Sequence, residues 1–225
     1  MNIVAVIPAY NEEGRIEHAV RDAAQFVSSV IVVDDCSKDA TQEKALAVGA
    51  RVLRHMINRG QGAALQTGMH CALHELDADI IVHFDADGQM QGKDIPAMVD
   101  PIIHSNAEVS LGSRFLGKES NMPFVRRWLT LKPAIIFTKL ISGIKVSDTH
   151  NGFRALSRKA AKKVNIKLDR MAHASEILDQ IKMHNLTYTE VPVEILYSQE
   201  TLAKGQSFSS GFTILKDFFK NKFFG

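Results

Sequence analysis

The chain has 225 residues, 45% hydrophobic and 23% charged, with a formal net charge of +2. That length is ample for a buried core and fits one large domain or one domain with an appendage. The charge is too mild to bring in nucleic acid as a partner. Two cysteines, Cys36 and Cys71, are too few for a disulfide framework, so a reducing cytoplasm is the expected setting.

Met1 to Pro8 lacks the basic lead of a signal peptide and reads as a strand. No apolar run is long enough to span a bilayer. Ile3 to Ile7 is continuously apolar, the mark of a strand buried on both faces, and Pro8 is expected to end it. After the loop Ala9 to Gly14, the residues Ile16, Ala19, Val20, Ala23, Ala24 and Val27 recur at helical spacing. Val30 to Val33 is a second strand, and it ends in Asp34-Asp35. Cys36 to Thr41 turns into a helix, with Ser37 or Asp39 as its N-cap, and Gly49 closes that helix. Arg51 to Arg54 is a third strand. Asn58-Arg59-Gly60-Gln61-Gly62 is a turn, followed by a helix over Ala63 to Glu75 and a strand over Ile80 to Phe84. This β-α-β-α-β-α-β order predicts a mostly parallel central sheet with helices on both faces. Ligands of such sheets gather at the carboxyl ends of the strands. Three of those ends carry Tyr10 and Glu12, Asp34 and Asp35, and Asp85 and Asp87.

Further along, Ile95, Met98, Val99 and Ile102 outline a helix, and Val109 to Gly112 is a strand running into Ser113-Arg114. Phe124 to Gly143 mixes Phe, Ile, Leu and Trp with Arg126, Arg127, Lys132 and Lys139, and Pro133 should divide it. Ser147 to Arg154 is a polar loop entering a short strand. A helix follows near Arg170 to His184, and a strand-like run covers Thr187 to Tyr197. The tail, Phe212 to Gly225, is rich in Phe and Lys. Both mixed segments suit contact with a membrane interface without crossing it. Packed amphipathic helices, one of them in a dimer interface, are the alternative.

The chemistry centres on Asp85-Ala86-Asp87-Gly88-Gln89. Alternate residues of a strand share a face, so the two carboxylates can point the same way where the strand ends. Close, hard oxygen donors suit Mg²⁺ or Mn²⁺, which often bridge to substrate phosphates. An ordinary solvated turn is the competing explanation. His70 and His74 stand one helical turn apart, but no third zinc ligand accompanies them. Gly60-Gln61-Gly62 is not a P-loop, because no Gly-Lys-Ser/Thr follows.

Four ordered motifs then add up: Ile7-Pro8-Ala9-Tyr10-Asn11-Glu12-Glu13, Val32 to Thr41, Asn58 to Leu65, and Asp85 to Gln89. Together they resemble the family 2 glycosyltransferases with the GT-A fold, the α/β fold of nucleotide-diphospho-sugar transferases. Gly112-Ser113-Arg114-Phe115 and Ser147-Asp148-Thr149-His150-Asn151-Gly152-Phe153-Arg154 are similar to the dolichol- and polyprenol-phosphate sugar transferase branch. The resemblance runs from residue 3 to about 157, and more loosely to about 206. It departs at Gln61, where the family usually has Lys, and in Val191 to Tyr197, where membrane-lipid transferases commonly carry an Arg. Lys204 is the nearby cation that can stand in.

The resemblance implies an inverting, metal-dependent transfer from a UDP- or GDP-linked sugar, with Mg²⁺ or Mn²⁺ as cofactor. Asp87 leads as metal ligand, with Asp85 next and Gln89 as a carbonyl-oxygen contributor. Pro8, Ala9, Tyr10, Glu12, Asp35, Asp85, Ala86 and Lys204 are the expected nucleotide-sugar contacts. Asp35 suits the edge of the base, although a helix-start carboxylate explains it too. Arg114, Arg126 and Arg127 offer guanidinium forks to an acceptor or donor phosphate, and Glu176 is a further acceptor-side candidate. Asp148 is the leading general base if the acceptor is a sugar hydroxyl. A lipid monophosphate is already ionised and needs none, and Asp148 would then orient Arg154 or the acceptor.

The expected organisation is a transferase domain over residues 1–206, with a nucleotide-binding half over about 1–115 and an acceptor half over about 116–206. An amphipathic tail over 207–225 completes it. The expected acceptor is a polyprenyl phosphate at the cytoplasmic face of the membrane, where a small membrane-protein partner is a reasonable companion. The alternatives are a saccharide hydroxyl in cell-envelope polysaccharide synthesis and a degenerate binding partner without turnover. A haloacid-dehalogenase-type phosphohydrolase would open on the Asp85 motif and need a later Gly-Asp pair. A sugar nucleotidyltransferase would need a glycine-rich loop where Pro8-Ala9-Tyr10 stands.

Overall fold

The structure, a computed structural model, describes residues 1–116, 144–149, 151–168 and 173–196. Arg126, Arg127 and Lys204, the mixed segment over 124–143 and the tail over 207–225 lie outside the described residues.

Four strands and the helices between them come first: β1 Ile3–Ala9, α1 Ile16–Ala24, β2 Ser29–Asp34, α2 Thr41–Ala47, β3 Arg51–Arg54, α3 Gln61–His74 and β4 Ile80–His83. A short 3-10 turn, Gly92–Asp94, leads into α4 Ile95–His104 and β5 Val109–Ser113. Then follow β6 Arg154–Ser157, α5 Arg158–Ala161, α6 His173–Met183 and β7 Tyr188–Pro192. The strands form one sheet in the order β3-β2-β1-β4-β6-β5-β7. β1, β2, β3 and β4 run parallel, β5 and β7 pair parallel, and β6 runs antiparallel between β4 and β5.

Alternation along β1 builds two cores. Val4 and Val6 join Ile31, Val33, Ala64, Leu65, Met69 and Ile81 on the face covered by α3, α5 and α6. Ala5 and Ile7 join Ile16, Val20, Val32, Val82, Ile95 and Met98 on the face covered by α1 and α4. Each fully buried aliphatic side chain here is worth roughly 1.5–3 kcal/mol. Because both faces of the central strands are covered, they read as unbroken apolar runs.

β1 does not stop at Pro8, as the sequence predicts, but continues through Ala9 in register with Asp34. The reason lies in the neighbour. Val6 C=O, on the β4 side, accepts the Phe84 N–H at 3.0 Å, and β4 itself has ended at His83. Pro8 faces that same side, two residues on. Its missing N–H therefore costs no ladder bond.

Candidate active site

The crevice lies at the carboxyl ends of β1, β2 and β4. The loops after β1 and β2 fold back on left-handed residues, Asn11 (φ 55) and Cys36 (φ 65), and are laced together. Asn11 N–H donates to Ser37 Oγ (2.9 Å), Glu12 N–H to Thr41 Oγ1 (2.8 Å) and Lys38 N–H to Asn11 Oδ1 (2.8 Å). Asp39 accepts from the Glu13 and Thr41 amides, so it organises the start of α2. Pro8 and Ala9 form the buried floor, while Tyr10 is 44% exposed. The Glu12 carboxylate takes Arg15 Nε at 2.8 Å.

Asp35 is buried, and its own chain employs it. Oδ1 meets His55 Nδ1 (2.7 Å) and the Arg59 amide (2.9 Å), and Oδ2 takes the Gly60 amide (2.6 Å). His55 Nε2 lies 2.9 Å from Thr67 Oγ1 on α3. Asp35 thereby ties the turn before α3 to the end of β2.

The acid loop follows β4. Gly88 takes φ +76, a left-handed turn suited to glycine, and Asp87 Oδ1 accepts the Gln89 amide at 3.0 Å. Ala86 is buried between the two acids. The Gln89 main-chain carbonyl takes the Leu196 amide at 2.9 Å. Half-buried Asp85 takes Gln61 Nε2 on Oδ1 at 2.8 Å. Burial, and then the neighbouring Asp87 carboxylate, push the Asp85 carboxyl up to about 7. Burial likewise raises Asp87, against the bond from Gln89 and the nearby Arg15. A pair of carboxylates held this way is short of positive charge.

Asp85, Gln89, Met90, Arg114, Asn151, Gly152 and Ile195 line the pocket beside this loop. Across it, Arg114 grips Asp148 in a fork, Nε to Oδ2 and Nη2 to Oδ1, each at 2.7 Å. The Asp148 loop is pinned from below. Ser147 donates its amide (2.7 Å) and its hydroxyl (2.6 Å) to Glu190 Oε1 on β7, and Ser113 Oγ on β5 lies 2.6 Å from Ser147 Oγ. Gly152 passes so close to the acid loop that an added Cβ would stand 2.7 Å from Asp85 Oδ2. Glu176, on the first turn of α6, takes the Lys167 and Leu168 amides and caps that loop.

The sequence does not single out Asn151, Gly152 or Glu190, and it raises Gln61 only as a departure from the family's Lys and Arg154 only as a group for Asp148 to orient. The position of Asn151 and Gly152 in the Ser147 to Arg154 motif is the signal that could have marked them.

Residues 4–164 match the family model described as "Glycosyl transferase family 2". The chain belongs to that family. It is therefore a glycosyltransferase, and its relatives agree. A UDP-N-acetylglucosamine–dolichyl-phosphate N-acetylglucosaminyltransferase of Methanococcus voltae is 34% identical over 94% of this chain and 92% of its own. A polyprenol monophosphomannose synthase of Mycolicibacterium smegmatis is 29% identical over 96% of this chain and 84% of its own. Glucosyl-3-phosphoglycerate synthase of Mycobacterium tuberculosis superposes with a TM-score of 0.72, at 19% identity, over 96% of this chain and 77% of that one. At that identity the likeness speaks for the fold, which is GT-A. The same synthase has been crystallised with Mn²⁺ and UDP.

The donor set fits a divalent ion. Two carboxylates and an amide oxygen are hard ligands, and burial together with the Asp87 carboxylate pushes Asp85 up to about 7. Among the described residues no three His, Cys, Asp or Glu side chains form a complete cage. No helix among the described residues is long and apolar enough to cross a membrane.

Proposed function

We propose that the transferase moves a sugar from a nucleotide-diphosphate sugar to a polyprenyl phosphate at the cytoplasmic membrane surface, with inversion and with a divalent ion. The observation that carries this reading is the pair of opposed clusters on one pocket. Asp85, pushed up by burial and by Asp87, stands on one side, and Arg114, held in a fork by Asp148, on the other. Asp85, Asp87 and Gln89 would hold Mg²⁺ or Mn²⁺. When bound, that ion supplies Lewis-acid neutralisation of the charge developing on the departing diphosphate.

Pro8, Ala9, Tyr10 and Glu12 flank the nucleotide. Arg114 presents its guanidinium to the acceptor phosphate, and Asp148 positions it. Both Asp148 oxygens face Arg114, so neither lies open to take a proton from a hydroxyl. A phosphate acceptor needs no base. Its ionised oxygen forms the new bond to the anomeric carbon while the bond to the diphosphate breaks, and the nucleoside diphosphate leaves with the electron pair. The relatives named for dolichyl and polyprenol phosphates support this acceptor. The amphipathic stretches in the sequence support a membrane surface, where a small membrane protein could assist.

The test is transfer of radiolabelled sugar, with UDP-N-acetylglucosamine as first donor and GDP-mannose and UDP-glucose beside it, to a short polyprenyl phosphate and to saccharides. The expected product is a metal-dependent glycosyl phospholipid that Asp87→Ala abolishes. Labelled saccharide with no lipid product would reject the acceptor. Failure of every nucleotide and metal to stabilise the protein thermally would reject the enzyme reading in favour of a degenerate binder.

A further inference from the structure

Glu190 is an acid on the core side of a strand. It alternates with Tyr188 along β7, and Tyr188 packs against the core that α3, α5 and α6 cover. Its register partner on β5, Leu111, belongs to that core, as do Ile144 and Val146 just before the Asp148 loop. A carboxylate in such a place is unfavourable unless donors reach it. Two donors come from Ser147, its amide at 2.7 Å and its hydroxyl at 2.6 Å, both on Oε1.

The hydroxyl bonds then acquire a direction. Ser147 commits its single hydroxyl proton to Glu190. Ser113 Oγ, 2.6 Å from Ser147 Oγ, must therefore be the donor of that bond. Ser113 Oγ in turn accepts the Phe115 amide at 3.2 Å. The relay runs one way, from Phe115 through Ser113 and Ser147 to Glu190. Each serine in it is the chain neighbour of one partner of the clamp across the pocket. Arg114 lies between Ser113 and Phe115, and Asp148 follows Ser147. The clamp closes through the two side-chain bonds at 2.7 Å and through the Arg114 amide on Asp148 Oδ2 at 3.2 Å.

We infer that Glu190 is a positioning residue for Arg114. As the acceptor at the end of the relay, it sets the direction of the bonds that fix the main chain on both sides of the clamp, and so aims the guanidinium. Its effect on transfer rests on the reading of Arg114 as the group that meets the acceptor phosphate.

The test reads Arg114 itself, by NMR of the arginine Nε–H groups in the full chain, with the Arg114 signal assigned by its loss in Arg114→Lys. Glu190→Met is expected to speed exchange of that Nε–H with solvent about tenfold or more. In the transfer assay it should raise the KM for a short polyprenyl phosphate about 10–100-fold, while the Kd for UDP with Mn²⁺ stays within about twofold of wild type. Glu190→Gln, whose amide oxygen still accepts from Ser147, should restore both. Ser147→Ala, which keeps the main-chain bond and cuts the relay, should fall between. A merely structural role would lower thermal stability and weaken UDP and acceptor alike with the Arg114 signal unmoved, and that result would overturn the inference. Should Glu190→Met fail to fold, Ser147→Ala decides, and an Arg114 exchange rate within about twofold of wild type there overturns it as well. Faster Arg114 exchange with an unchanged acceptor KM would sustain the positioning role and reject Arg114 as the acceptor-phosphate residue. If wild type glycosylates no polyprenyl phosphate, the acceptor reading falls, and the NMR measurement still decides the role of Glu190.

Discussion

Asp35 follows β2 and Asp85 follows β4, the two parallel strands that flank β1. Asp35 is gripped by two amides and an imidazole of its own chain. Asp85 has one amide donor, an acidic neighbour and a carboxyl at about 7. One carboxylate has its partners already; the other is kept short of them. The same residue at the same kind of position serves as a tie in the first case and as a ligand site in the second. Both ring nitrogens of His83, Nη1 of Arg154 and Nδ2 of Asn151 are among the buried atoms without a hydrogen-bond partner, as is Ser110 Oγ on β5. Binding sites are where unmet bonding capacity is tolerated.

The sharpest way to break this contrast is Asp85→Asn. It should cut sugar transfer about 10²–10³-fold, measured as kcat on saturating donor. The same variant should also flatten the stability profile of the metal-free protein. Asp85 is raised above its ordinary 3.8, so the native state keeps a proton that the unfolded chain has released between about pH 4 and 7. Its stability contribution is full below that window and is lost as pH rises through about 7. Wild type should lose on the order of 2–4 kcal/mol across the window after allowance for partial exposure, seen in urea melts, and Asp85→Asn should not. An unchanged slope would mean that Asp85 is as well satisfied as Asp35.

Gly152→Ala comes next. The added carbon must displace Asp85 Oδ2 or the loop, and transfer should fall roughly 10–100-fold with little change in fold. Retained activity would show that the acid loop yields easily. Asp35→Asn should behave in the opposite way, costing roughly 2–3 kcal/mol, because the Arg59 and Gly60 amides sit on different oxygens and the new NH2 must face one of them as donor against donor. If stability held while the nucleotide Kd rose, Asp35 would be a base reader rather than a tie. The smallest effect is expected from His55→Ala, about 1 kcal/mol in the same melts, since it removes one bond to Asp35 and one to Thr67.

The strands and the acid loop were legible because their signals are local. Ile3 to Ile7, Val30 to Val33 and Ile80 to Phe84 announce themselves by apolar content, and topology brings their acidic ends to one edge. What stayed hidden depends on partners far along the chain. Nothing in the vicinity of Asp148 says that Arg114, 34 residues earlier, holds both its oxygens. The Asp35 carboxylate looked free for a base because its donors are main-chain amides 24 and 25 residues away, which carry no side-chain signature. Arg154 sits in a strand where sequence predicts alternation, and only the antiparallel placement of β6 beside β4 reveals that it is buried. Glu176 looked like an acceptor-side acid, and its capping of the Lys167 and Leu168 amides is a fold-level fact.

That reversed strand has a practical consequence. The chain leaves the sheet from Ser113 of β5 and re-enters at Arg154 of β6, and because β6 runs backwards both points lie on the same edge. Of the residues between them, Arg114, Asp148 and Gly152 belong to the site and Ile144, Val146 and Phe153 to the cores. A chimaera that exchanges only residues 117–143 with those of a relative keeps all of these, and it offers a way to test whether that segment sets acceptor preference.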